Sequence, residues 1–151
     1  MCPVCGSKLE KKGWVDRIHK KEGGRKEWYK IEVRKCTKES CGKSHRLIPD
    51  KSVPYKHYDA DLIEAIIDGL AGEEDPALEE GPSPCTMKRW KEWGKKLETE
   101  AEGKLRSAAY RILDLTERFL GSRESLLQGV KERLVEGWLP TTLRVIYNTG
   151  G

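Results

Sequence analysis

The segments CPVCG at residues 2–6 and CTKESCG at residues 36–42 decide the fold of the N-terminal part of this chain. In the first segment two residues separate the cysteines, so both thiolates can reach one tetrahedral ion, and the following glycine permits a tight turn. The second segment has four intervening residues. The thirty residues between the cysteine pairs are a length that lets a β-hairpin bring the pairs face to face. The sequence therefore predicts one structural Zn²⁺ on Cys2, Cys5, Cys36 and Cys41.

His45 follows Cys41 by four residues, so it is a second candidate for one of the four ligand positions. The imidazole could replace one cysteine, because the longer second segment does not fix the geometry, or it could lie beside the site without touching the metal. The cysteine count is odd, and the paired spacing suits a metal in a reducing cytosol better than disulfides. We therefore expect a cytoplasmic protein, with Cys85 as a small packing residue outside the metal site.

The segment between the two cysteine pairs predicts a β-hairpin. Tyr29, Ile31 and Val33 alternate with polar residues, which is the pattern of a strand with one buried face. Glu22-Gly23-Gly24-Arg25 predicts the turn, because adjacent glycines accept the positive φ of a type I′ turn. After the second pair, Leu47-Ile48-Pro49 could add a short third strand.

Helical periodicity follows in the rest of the chain. Asp59 suits the N-cap of a first helix, whose predicted apolar face comprises Leu62, Ile63, Ile66, Ile67 and Leu70. Residues 71–82 indicate an acidic loop, and Ser83-Pro84 predicts the next helix start. The apolar seam of that helix comprises Met87, Trp90, Leu97, Ala101, Leu105, Ala108, Ile112, Leu115 and Phe119. Gly103 lies within this stretch, so residues 84–120 predict either one helix or two.

Two shorter helices complete the predicted order. Gly121-Ser122 indicates the start of a helix over about 123–136, and Gly137 and Pro140 indicate its end. Residues 141–148 could form a last short helix. The sequence thus predicts an α+β fold with three parts: a β-hairpin zinc ribbon at 1–50, a helix-turn-helix-like region at 51–100 and a C-terminal helical region at 101–151.

Charge is divided unevenly along the chain. The formal net charge is +4, but residues 1–60 alone carry 16 Lys/Arg against 8 Asp/Glu. Such an excess of positive charge favours a polyanion as partner. The candidate nucleic-acid contacts form two clusters: Arg25, Lys26 and Lys30 on the hairpin, and Lys88, Arg89, Lys91, Lys95 and Lys96 on the second helix. The acidic loop between the first two helices exceeds the turn of a helix-turn-helix and would have to face away from DNA.

The strings CPVCGSKL, CTKESCGKSHRLIPD, VPYKHYDADLI and PSPCTMKRW resemble an uncharacterised bacterial family that combines a zinc ribbon with a helix-turn-helix. The order of parts is also similar to the N-terminal DNA-binding portions of some insertion-sequence transposases. The resemblance covers roughly residues 1–95. It implies the four paired cysteines as metal ligands, and it implies that Arg89-Trp90 belongs to the second helical element.

These patterns favour a zinc-containing protein that binds double-stranded DNA, as a regulator or as a mobile-element accessory or remnant without a catalytic domain. The alternatives are a protein-interaction adaptor and an RNA-binding protein that uses the hairpin. We expect no enzyme activity and no small-molecule substrate, because the sequence shows no phosphate-binding glycine loop, nucleophile–base pair or open metal site. No apolar run approaches the roughly 18 residues that cross a membrane, so we expect no membrane contact.

Overall fold

Three antiparallel strands form a sheet at the N-terminal end. A computed structural model describes residues 1–113, 125–134 and 136–148 of the chain. The strands are β1 (Leu9–Lys20), β2 (Lys26–Cys36) and β3 (Ser44–Arg46), in the order β1-β2-β3. The predicted alternation in β2 is confirmed, because Ile31 and Val33 are buried on one face and Tyr29 is half-buried on the same face.

The predicted hairpin turn is present, with a loop of three residues rather than two. Gly23 and Gly24 both have positive φ, at 63° and 67°. The Lys21 amide donates to the Arg25 carbonyl at 2.9 Å and closes the loop around residues 22–24. The loop is therefore one residue longer than a two-residue type I′ turn. The third strand lies earlier than predicted: it ends before Leu47, whose amide alone continues the pairing by donating to the Glu32 carbonyl at 2.9 Å.

Four helices follow the sheet in the described part of the chain, which confirms the predicted α+β class. They are α1 (Ala60–Ile67), α2 (Pro84–Leu113), α3 (Leu126–Arg133) and α4 (Trp138–Asn148). Their apolar faces share one core, whose fully buried members include Ile63, Ile66, Ala101 and Leu139. None of the described helices is long and apolar enough to cross a membrane.

The second helix, α2, runs without a break through Gly103 to Leu113, which decides the question that the sequence left open for this stretch. Ser83 caps it as predicted, since its hydroxyl accepts a hydrogen bond from the Thr86 amide at 3.4 Å. The predicted seam is buried at Met87, Trp90, Leu97, Ala101, Leu105 and Ala108. The side chain of Ile112 and all of Leu115 and Phe119 lie outside the described residues.

Close packing of α1 on α2 depends on Gly94. A Cβ at this position would lie 2.7 Å from Ile67 Cγ2, so a larger residue would push the helices apart. Beside this contact, Tyr58 packs edge-on against Trp90 with ring centroids 5.1 Å apart. Residues 68–83 connect the two helices and contain a 3-10 turn at Pro76–Leu78. This connection is longer than the three- or four-residue turn typical of a helix-turn-helix.

Two details of the helical part, at Leu70 and at Pro140, differ from the sequence prediction. Leu70 lies beyond the end of α1 and is 81% exposed, so it is not part of the apolar face. The described helix α3 begins after Ser125, whose side chain caps it, while the predicted start at Gly121-Ser122 lies outside the described residues. Pro140 sits in the first turn of α4 instead of ending the preceding helix, because a proline there costs no helical hydrogen bond.

Two carboxylates from α1 and α2 hold the N-termini of the two C-terminal helices. Glu64 of α1 accepts hydrogen bonds from the amides of Gly137 and Leu139 at the start of α4, both at 2.8 Å. Glu102 of α2 accepts in the same way from the first two amides of α3, both at 3.0 Å. The first amides of a helix have no partner inside it, and their partial positive charge favours a carboxylate. Each of the two C-terminal helices is therefore capped by an acid from another helix.

Candidate metal centre

The two cysteine pairs occupy tight turns at one end of the sheet. Gly6 and Gly42 close these turns with φ of 71° and 53°. Their amides donate to the carbonyls four residues earlier, at 2.8 Å and 2.9 Å. Residues with a side chain rarely adopt such φ values, so the glycines allow each chain segment to fold back over its cysteines. The pairing of Leu9 with Cys36 in the sheet brings the two turns together.

Four sulfur atoms meet between these turns. All four lie within 4.8 Å of one another. The Sγ atoms of Cys2 and Cys41 are 3.9 Å apart, and those of Cys5 and Cys36 are 3.4 Å apart. Sulfur ligands at about 2.3 Å from a tetrahedral Zn²⁺ stand about 3.8 Å from one another. The cluster therefore fits a metal ion such as Zn²⁺.

The four thiols cannot all ionise at these distances without a cation. Hydrogen bonds from Ser7 lower the pKa of Cys5 to about 6, whereas burial raises the pKa of Cys36 to about 12. Adjacent thiolates would repel one another, and a bound Zn²⁺ would supply the opposing charge and deprotonate its ligands. Four protein sulfurs fill a tetrahedral shell, so the donor set suits a structural rather than a catalytic ion.

His45 lies beside the sulfur cluster. Its Nε2 is 3.3 Å from Cys2 Sγ, a distance that suits an N–H···S hydrogen bond. Within the described residues, however, the donors that all lie within 4.8 Å of one another are the four cysteines without this histidine. The geometry thus supports His45 as a hydrogen-bond donor to a ligand, a role that orients the ligand and tunes the charge on its sulfur.

An N-terminal sheet with four clustered cysteines at one end, followed by helices, defines an α+β protein with a zinc-ribbon-like site. Residues 2–90 match the family described as Domain of unknown function (DUF6431), and the chain belongs to this family. The matched segment covers the whole sheet and α1 and ends early in α2. Membership of an uncharacterised family is thereby confirmed. No curated protein and no solved structure is significantly similar to the chain, so a likeness to transposases is not shown.

The residues predicted to contact nucleic acid form two exposed clusters. The α2 cluster comprises Lys88, Arg89, Lys91, Lys95 and Lys96, on the sides of the helix that leave the buried seam. The hairpin cluster comprises Arg25, Lys26 and Lys30. Over the described ranges of the chain, no ion pair involves any of these eight side chains. Their charges are therefore available to a partner.

The acidic loop that precedes α2 packs against the tip of the hairpin. A Cβ on Gly24 would lie only 2.6 Å from the Glu80 carboxylate, so the two segments are in close contact. This contact brings the hairpin cluster near the start of α2. It also places one acidic side chain beside basic residues, which lowers the positive potential there.

A buried polar cluster on His19 has no signature in the sequence. Nε2 of His19 lies 2.8 Å from Ser52 Oγ, and its Nδ1 lies 2.6 Å from Asp59 Oδ1. Asp59 is the residue before α1, as predicted, but its side chain makes no capping hydrogen bond and faces His19 instead.

Serine, histidine and aspartate in this order can act as nucleophile, base and orienting acid. Here, however, His19 is fully buried and out of reach of a substrate. The backbone amide of Ser52 already donates to the Pro49 carbonyl at 2.9 Å, so it is not free to stabilise an oxyanion. The cluster is better explained as a link between β1 and the start of α1.

We expect this link to weaken as the pH falls. Burial lowers the pKa of His19; Asp59 opposes this change, and the charges of Arg17 and Lys51 add to it. Because the folded pKa lies below the unfolded value of about 6.5, the unfolded chain binds protons more tightly, and stability is lost as the pH falls below about 6.5. Urea titrations should show a larger loss of unfolding free energy between about pH 7.5 and 5.5 in the wild type than in His19→Asn.

The matched control for this measurement is His57→Asn, at an exposed histidine. It should keep the wild-type dependence on pH, including any part that comes from protonation of the cysteines. Identical dependence in the wild type and in His19→Asn would contradict the assignment.

Proposed function

We propose that this protein binds double-stranded DNA through the α2 cluster and the hairpin cluster, with one structural Zn²⁺ on the four paired cysteines. The observation that carries the proposal is the α2 cluster: five exposed cations between residues 88 and 96, opposed by Glu92 alone within that stretch. Cations without an intramolecular acid can replace the counterions of DNA phosphates, and this release favours binding.

Two further features support the same surface. The helix start at Ser83-Pro84 leaves the hydroxyls of Ser83 and Thr86 exposed or half-exposed near the first amides of α2, an arrangement suited to a phosphate oxygen. The contact between the hairpin tip and Glu80 holds the second basic cluster near this helix start. Both clusters can therefore face one extended polyanion.

The proposed role is non-enzymatic, as a regulator or as a transposase-like accessory or remnant in a mobile element. The zinc site supports this role by holding the hairpin in place, since its four positions are filled by protein sulfurs. A protein-interaction adaptor and an RNA-binding protein remain the competing proposals, and the binding experiment that follows separates them from DNA binding.

Duplex affinity should fall steeply with salt concentration, and single substitutions in the α2 cluster should reduce the slope. Each phosphate contact contributes about 0.9 to the slope of log affinity against log salt. Lys88→Ala and Lys95→Ala should therefore each flatten the slope by about one, without a change in sequence preference. Fluorescence anisotropy with labelled duplexes at several salt concentrations measures this slope.

Arg89→Ala should in addition relax the preference at one base pair, because arginine can donate two hydrogen bonds to guanine.

The control is Lys104→Ala, an exposed lysine further along the same helix and outside the cluster. It should leave the salt dependence close to that of the wild type. Absence of binding to every duplex at low salt would refute the proposal. Binding to RNA without binding to duplex DNA would favour the RNA-binding alternative, and absence of both would favour the adaptor.

A further inference from the structure

A large groove lies between the sheet and the last helix. It has a volume of about 1540 Å³ and is bounded by the inner face of the sheet, the segment 47–57 and α4. Several large apolar side chains that line it are strongly exposed: Met1, Val4, Leu47, Tyr55 and Tyr147. Exposed apolar side chains gathered in one concave surface indicate a binding site more than scattered ones do.

Tyr55 is the most unusual of these residues. Its φ is 62°, in the left-handed region that residues with a side chain rarely adopt, and its side chain is 92% exposed. Such a conformation costs free energy, and an exposed ring recovers little of it by burial. Tyr147 of α4 lines the same groove and is 50% exposed. Two aromatic rings are thus presented together at the groove.

The same groove carries an excess of positive charge, because Arg17, Arg46 and Arg144 line it against Asp50, which pairs with Arg144. Arg46 pairs with Val33 in the sheet register, so its side chain projects from the inner face. Arg17, on that face of β1, donates to the carbonyls of Val53 and Lys56 at 2.9 Å and 2.5 Å. In the part of the chain that the structure describes, neither arginine has a carboxylate partner. Arg17 and Arg46 both line the groove, and burial and then the charge of Arg46 lower the pKa of Arg17.

We infer that this groove binds an unpaired nucleic-acid strand, with bases stacked on Tyr55 and Tyr147 and phosphates held by Arg46 and Arg17. Exposed aromatic rings beside cations that have no carboxylate partner are the two features that single-strand sites combine. A purely apolar peptide would leave the arginines unpaired, and a base-paired duplex could not offer its base faces to the tyrosines. The site is separate from the α2 cluster and does not depend on duplex binding.

Anisotropy titrations of the full zinc-loaded chain with fluorescein-labelled oligo-dT and oligo-U at low salt test this inference, and the two probes separate DNA from RNA. Tyr55→Gly and Tyr147→Ala should each weaken binding about 5- to 100-fold, the range expected for loss of one stacked base. Since glycine adopts positive φ freely, Tyr55→Gly should leave the melting temperature unchanged or raise it while binding is lost. If Tyr55 had only a structural role, oligonucleotide affinity and melting temperature would fall together.

Trp28→Ala is the matched aromatic control, because Trp28 is 67% exposed and lies on the opposite face of β2. It should bind both oligonucleotides like the wild type. The inference is overturned if neither oligonucleotide binds, if both tyrosine variants bind as tightly as the wild type, or if only Trp28→Ala loses affinity. Lys88→Ala, titrated with a duplex in parallel, reports on the other site, so failure of one proposal is distinguishable from failure of the other.

Discussion

Cys36→Ser is expected to abolish tight zinc binding and to unfold the sheet while the helices stay folded. Cys36 is buried at the end of β2, and its sulfur is 3.4 Å from that of Cys5. Structural zinc sites contribute about 10–16 kcal/mol in zinc-finger peptides, which exceeds what a sheet of this size can gain from its own apolar contacts. The helical core comes from α1 to α4 and does not include the cysteines. Zinc content, the amide spectrum of the hairpin and far-UV circular dichroism together measure the outcome.

Cys85→Ser is the matched control, since Cys85 is exposed on α2 away from the sulfur cluster. It should retain one zinc and the wild-type spectrum. His45→Ala should also retain the ion but bind it about 10- to 100-fold more weakly, the usual effect of removing a hydrogen bond to a metal ligand. Purified wild-type protein without zinc, or a hairpin spectrum that does not change on chelation, would refute the structural-metal assignment.

Glu64→Ala should destabilise the helical part by about 3–5 kcal/mol, because it leaves two amides at the start of α4 without an acceptor. The carboxylate is buried, and burial raises the pKa of Glu64 while its hydrogen bonds with Leu139 and Gly137 oppose the rise. Such a loss is a large part of the roughly 5–15 kcal/mol that stabilises a typical domain. Urea denaturation followed by circular dichroism measures it, and amide exchange should show earlier opening of α4 than of α2.

Glu64→Gln separates the charge from the space that the side chain fills. Glu64→Gln keeps one acceptor oxygen, so its loss of unfolding free energy should be smaller than that of Glu64→Ala. Glu73→Ala, at an exposed acid in the loop before α2, should cost less than about 0.5 kcal/mol. If Glu64→Ala and Glu73→Ala have the same stability, the capping role of Glu64 is refuted.

The cysteine cluster and the helical seam could be predicted from the sequence because their determinants are local. Two cysteines a few residues apart, followed by glycine, determine a turn whichever structure surrounds it. The alternation in β2 and the three-and-four spacing from Met87 to Ala108 follow from strand and helix geometry. Boundaries were less predictable: Leu70 matched the period of α1, but the helix ends at Ile67 and leaves it exposed.

The polar contacts between distant residues were decided only by the tertiary structure. His45 reaches Cys2 across 43 positions, His19 meets Ser52 across 33, and Glu64 caps α4 across 75. No periodicity links the members of these pairs, and each side chain could equally face solvent in an isolated segment. Their partners depend on how the sheet and the helices pack, since a buried polar group must find a donor or acceptor wherever packing leaves it.

The groove is the clearest case of this difference. The sequence alone determined that the chain has a four-cysteine site, an α+β order of elements and two basic clusters, because spacing, periodicity and charge are properties of short segments. The meeting of Arg46, Tyr55 and Tyr147 at one surface was decided only by the tertiary structure. Their three segments approach one another because the helices bury a common core, and the free energy of that burial is summed over the whole chain rather than over any one stretch of it.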